Sequence, residues 1–187
     1  MVYVMNSRID YRINYEKAIE TIVWLASEKP GIDIYHLGKV LFYADKKHIN
    51  RYARPIIGDT YIRMDYGPTP SGVKDLISKN LWLSPDHIES VTNAMEIKNT
   101  PYPSISASRP PNMDFFSETD IECLKESLFK YGDKSFELLK KKTHNERCWL
   151  ETSPNQPLDY ALFVDEDNPN REEILKEMSE TAAYLQV

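Results

Sequence analysis

Glycine, cysteine, long apolar runs and positive charge are all in short supply in this 187-residue chain. Each shortage removes a class of function. The six glycines stand singly at positions 31, 38, 58, 67, 72 and 132, so no glycine-rich loop is available to cradle a phosphate. The two cysteines, Cys123 and Cys148, are isolated; they predict reduced thiols and a cytoplasmic address rather than a disulfide scaffold. No segment approaches the roughly 20 apolar residues of a membrane helix. The stretch from Met1 to Arg8 lacks the layout of a signal peptide. Lys and Arg number 23 against 29 Asp and Glu, a net charge of -6. Nucleic-acid binding draws on a basic face, so it is disfavoured here, promoter autoregulation included. The single basic run, Lys140-Lys141-Lys142, reads as a solvated helix end at the negative pole of the helix dipole. The four histidines, His36, His48, His87 and His144, show no metal-ligand spacing and no HExxH. The expectation is no metal and no cofactor, leaving only a centre assembled from distant residues such as Asp45, His48 and His144.

What is present suits one globular domain with a real core: 41% hydrophobic and 28% charged residues. Twelve tyrosines offer amphipathic contact area, and the acidic balance suits a basic or mixed partner. Asn14 caps a first helix whose stripe is Tyr15, Ala18, Ile19, Ile22, Leu25 and Ala26, ended by Pro30-Gly31. Asp33 caps a second, striped by Ile34, Leu37, Leu41, Ala44 and His48. Gly58-Asp59 reads as a turn. Thr60 to Tyr66 then alternates as a strand with one polar face, broken by Gly67-Pro68. Thr69 caps the next helix, with Pro70 at its first position. Ser84-Pro85 opens a short helix, and Ile105 to Ser108, bracketed by prolines, reads as an edge strand. Ser117 and Asp120 form a capping box for a helix ending at Gly132, and Asp133 caps its successor. Asn170 and Glu173 repeat the box before a terminal amphipathic helix with Ile174, Leu175, Met178, Ala182 and Leu185. The expected fold is mainly α (α+β): one compact helical domain with a small antiparallel sheet or hairpin from the Thr60–Tyr66 and Ile105 regions.

Three constellations carry chemistry. Asp45, His48 and Tyr52 fall at i, i+3 and i+7, along one helix face. They fit either a carboxylate orienting an imidazole in a hydrolase or transferase, or a buried polar network tying the helix to the corner that follows. No nucleophile stands nearby in a GxSxG-like setting, which favours the network. Arg54, Asp59, Tyr61, Arg63 and Tyr66 decorate the strand and its corner; they fit an interface, which favours Arg and Tyr, or an internal network in which Arg54 pairs with Asp59 or Asp65. His144 and Trp149 read as a binding edge with an aromatic anchor, or as a helix cap and a core filler.

The run Leu41-Phe42-Tyr43-Ala44-Asp45, then His48, then Arg54-Pro55-Ile56-Ile57-Gly58-Asp59-Thr60-Tyr61 and Tyr66-Gly67-Pro68-Thr69-Pro70-Ser71 closely resembles the core of the Panacea domain, the SocA-like antitoxin family. Some of its members are described as phage-associated proteins. The stretch from Ser117 to Gly132, Ser135 to Leu139, Thr143-His144 and Trp149 resemble the second half of that domain. The resemblance covers about residues 13–152. It leaves 1–12 as an N-terminal arm, a variable segment near 84–111, and 153–187 as an acidic loop with the C-terminal helix. It implies a non-enzymatic antitoxin that binds and neutralises a cognate toxin, as a one-to-one or two-to-two complex or around a homodimer. The alternative it implies is a proteolytic adaptor presenting the toxin to an AAA+ protease. Asp45, His48, Tyr52, Arg54, Asp59, Tyr61, Tyr66, His144 and Trp149 are then the signature framework, some of them against the toxin.

Overall fold

The second helix runs through the middle of the molecule and organises everything around it. The computed structural model describes residues 8–182 and Tyr184. In chain order its helices are α1 (Tyr15–Glu28), α2 (Ile34–Tyr52), α3 (Ser71–Ser78), α4 (Pro85–Ala94), α5 (Glu118–Tyr131), α6 (Phe136–Thr143), α7 (Arg147–Leu150) and α8 (Arg171–Thr181). The strands are β1 (Ile32–Asp33), β2 (Tyr61–Met64), β3 (Gly67–Pro70), β4 (Met95–Lys98) and β5 (Ser104–Ala107). The architecture is the expected α+β type, with small antiparallel sheets.

Local signals fix most helix starts. Asn14, Asp33, Ser84 and Ser117 each accept a backbone N–H from the first turn of the helix they precede. Ser117 and Asp120 complete the reciprocal box. Helix α2 departs from the single-stripe expectation. It is buried without interruption from Leu37 to Asp45, because α5, β3, α8 and the 3-10 turn at Tyr160–Phe163 surround it. Phe42, Tyr61 and Phe163 meet there, with ring centroids 5.2 to 5.7 Å apart. Each such side chain, fully buried, contributes about 1.5–3 kcal/mol.

Four local expectations are corrected. Gly67-Pro68 does not end the strand region; it starts β3, which folds back on β2 with Met64 opposite Gly67 and Tyr61 opposite Pro70. The Ile105 segment is not an edge strand and does not join that hairpin. It is β5, the central strand of a separate sheet ordered β1-β5-β4, and Ile105 is fully buried. Its flanking prolines lie outside the paired residues, so they interrupt no ladder bond. Ser135, not Asp133, caps α6. Asn170 occupies the cap position of α8 without a side-chain bond. In the last helix Ile174, Met178 and Ala182 are buried, while Leu185 lies outside the described residues.

The C-terminal chain returns to the core. Leu158, Tyr160, Phe163 and Val164 are buried, and the Leu158 N–H donates to the Tyr61 carbonyl at 2.8 Å. Cys123 and Cys148 are free and buried.

Candidate functional site

The corner between α2 and β2 is pinned by three aspartates, each with a different task. Asp45 accepts the Ile56 N–H on one oxygen and the Tyr61 hydroxyl on the other, both at 2.7 Å. Asp59 accepts the N–H groups of Gly72 and Val73, both at 2.8 Å, and so caps α3 from thirteen residues upstream. This displaces the expected cap: α3 starts at Ser71, and neither Thr69 nor Pro70 supplies a side-chain cap. Gly72 makes the approach feasible, since a Cβ there would overlap Ile13 and stand 3.0 Å from the Asp59 carboxylate.

Asp120 is the hub. Its oxygens lie 3.0 Å from Lys17 Nζ, 3.2 Å from His48 Nε2 and 3.1 Å from the Arg54 guanidinium, and it accepts the Ser117 N–H at 2.9 Å. One carboxylate thus joins α1, α2, the corner and α5. Arg54 pairs with Asp120, rather than with Asp59 or Asp65, and also reaches Ser117 Oγ. His48 Nδ1 donates to the Arg54 carbonyl at 2.8 Å, and Nε2 faces Thr119 Oγ1 at 3.0 Å and Asp120.

Electrostatics separates the three. Burial pushes the Asp45 carboxyl up to about 6 against its bonds from Tyr61 and Ile56. Burial likewise pushes Asp59 up to about 7 against the Val73 and Gly72 N–H groups. Burial would raise Asp120 too, but His48, Lys17, the Ser117 N–H and Arg54 together hold it well below the usual carboxylate range.

Asp45 and His48 share a helix face but no hydrogen bond, and both are fully enclosed. General-base chemistry needs a ring nitrogen within reach of a substrate proton. Both nitrogens of His48 are already committed inside the fold. Among the described residues no group of three His, Cys, Asp or Glu side chains is placed to hold a metal ion; Asp45, His48 and His144 are not brought together as one.

The remaining predicted residues lie outward. Tyr52 packs its ring 4.8 Å from that of His48, with its hydroxyl 3.4 Å from Glu122 at the surface. His144 ends α6 and stacks on Trp149 at 3.9 Å; burial lowers its pKa. Trp149 is half-buried: its indole N–H donates to the Met64 carbonyl at 3.1 Å, and the Arg63 guanidinium lies 4.1 Å over the ring. Trp149 therefore buttresses the β2–β3 hairpin, neither wholly core nor wholly interface. Tyr66, at the hairpin tip, is 54% exposed and packs edge-on against Phe136.

Sequence reasoning read Asp120 only as a cap, and its ionic role gave no signal because Lys17 and His48 lie 103 and 72 positions upstream. It passed over Lys39, which is 2% exposed in the interior of α2. It also passed over Leu81, Trp82 and Phe129, which are almost wholly exposed.

The fold and its polar centre define an α+β scaffold in which the densest polar cluster braces a corner. The chain belongs to the SocA-like antitoxin, Panacea-domain family, whose model matches residues 37–150. No curated protein and no solved structure matches significantly.

Proposed function

We propose that this protein is a cytoplasmic antitoxin that neutralises a cognate toxin by direct protein–protein binding, without catalysis. One observation carries the reading beyond family membership. The signature Asp45, His48, Asp59 and Tyr61 are at most 1% exposed, and each is bonded within the fold, so they brace a surface rather than react. Binding then falls to exposed residues around that frame, among them Tyr52 at the end of α2 and Tyr66 at the hairpin tip. Such aromatic residues supply contact area at low entropic cost. No helix among the described residues is long and apolar enough to cross a membrane.

Co-expression with the product of the adjacent reading frame tests this. Growth should be restored while the toxin stays abundant and co-purifies. A toxin that disappears as growth returns would instead mark a proteolytic adaptor serving an AAA+ protease. Absence of both rescue and co-purification defeats the antitoxin reading.

A further inference from the structure

The hairpin β2–β3, the first turns of α2 and the start of α6 enclose a groove of about 210 Å3. Tyr35, Met64, Tyr66, Pro70 and Phe136 give it apolar walls. Its charged lining residues are Lys39 and Lys74; no carboxylate contributes, although the chain carries a net charge of -6. A third cation, Lys140, stands 5.2 Å from the Tyr66 ring centre.

Lys39 is the unusual member. Its ammonium donates to the Pro68 carbonyl at 2.8 Å and sits 4.9 Å from the Tyr35 ring centre. Among the described residues no carboxylate pairs with it. An ammonium has three donors, and a buried one normally has a counter-ion. Burial lowers its pKa to about 7. Lys17 and Lys46, the other well-covered lysines, each have a carboxylate within 3.0 Å.

We propose that this groove seats an apolar segment of the toxin bearing a carboxylate, with the carboxylate paired to Lys39 and the apolar side chains laid against Tyr35, Tyr66 and Phe136. The identity of the partner rests on the antitoxin reading; the ligand chemistry rests on the groove itself. Charge complementarity selects this occupant: an apolar cleft whose lining holds two lysines and no carboxylate, although Asp33 and Glu137 lie near Tyr35, favours an acidic segment over a basic one.

Two arms test it, both with the full chain. In the first, N-acetyl-Leu-Glu-Phe-amide and its Gln analogue are titrated by calorimetry, with the methionine methyl resonances followed by NMR. The Glu peptide should bind at least tenfold more tightly and shift Met64. The preference should collapse in Lys39→Met and weaken in Lys74→Glu, whose exposed site leaves the fold intact if the first variant does not fold. Equal affinities, or shifts that avoid Met64, overturn the groove's chemistry. In the second arm the adjacent-frame toxin is co-expressed with Lys74→Glu, Tyr66→Ala and the distant Lys176→Glu. The first two should lose at least tenfold in toxin affinity and the third should not. If wild type neutralises and all three variants bind equally, the groove is wrong and the antitoxin reading stands. If wild type itself neither neutralises nor co-purifies, the toxin is overturned as occupant, and the peptide arm still decides the chemistry.

Discussion

Removing the charge of Asp120 should cost this protein a large share of its stability, because the side chain gathers contacts from three other segments. Asp120→Asn keeps the shape and one acceptor for the Ser117 N–H, so the cap survives. It leaves Lys17, with a side chain 9% exposed, and the fully buried His48 facing a neutral amide, and deprives Arg54 of its counter-ion. Breaking a buried pair by removing one partner destabilises by about 3–5 kcal/mol. Asp120→Ala also removes the acceptor of the Ser117 N–H, about 1 kcal/mol more, while the Ser117 cap on the residue 120 N–H stays. Against a total of roughly 5–15 kcal/mol for a domain, either change consumes a large fraction of stability. Urea unfolding followed by circular dichroism measures it. The structural cause is isolated by adding Lys17→Met to Asp120→Asn. Once the orphaned ammonium is gone, the double variant should be at least 1 kcal/mol more stable than the two single losses added together. A loss below about 1 kcal/mol in Asp120→Asn, or strict additivity in the double variant, refutes the hub.

Other outcomes follow from the same geometry. Gly67 has φ +97°, and a Cβ there would overlap the buried Thr143, so Gly67→Ala should cost about 2 kcal/mol or more in denaturant unfolding; a change within about 0.5 kcal/mol would contradict the hairpin's packing on α6. Asp59 and Asp45 have folded pKa values near 7 and 6, above the ordinary 3.8. From about pH 4 to those values the folded state therefore holds protons that the unfolded state releases, and stability falls as pH rises, by up to about 1.4 kcal/mol per unit and group. Asp120, held low, acts in the opposite sense: its contribution is present above about pH 4 and is lost as pH falls further. Unfolding free energies of wild type and Asp59→Asn measured from pH 5 to 7 should differ by a slope of that size, and parallel profiles would exclude the buried-acid account. Trp149→Phe removes the bond to the Met64 carbonyl while keeping the stack on His144; a loss of about 1 kcal/mol is expected, with the hairpin amides losing hydrogen-exchange protection first.

Elements with a local cause were legible. Asn14, Asp33, Ser84 and Ser117 announce helix starts because a cap satisfies orphan N–H groups within three residues. Between a catalytic dyad and a bracing network the sequence favoured the network, since no nucleophile accompanied Asp45 and His48; in the fold both are buried and bonded internally. Elements with a distant cause were not legible. Asp59 caps α3 across thirteen residues, so local spacing assigned the cap to Thr69. The pairing of β5 with both β1 and β4 was hidden because Ile105 has one partner 73 positions upstream, at Ile32, and another eight positions upstream, at Ile97. A helical stripe cannot say how many neighbours a helix will have, which is why α2 read as one-faced and proved to be surrounded.

The linear chain by itself determined the helix starts with local caps, the acidic balance and the family, because caps, composition and an ordered run of signature residues are all local properties. Only the tertiary structure decided which groups share charge and which are left without a partner. Asp120 became a hub because Lys17, His48 and Arg54 converge on it from three separate segments. Lys39 became the exception because it is buried beside the hairpin with its ammonium on the Pro68 carbonyl and no carboxylate paired to it, and burial, unlike sequence, is a property of everything packed around a residue.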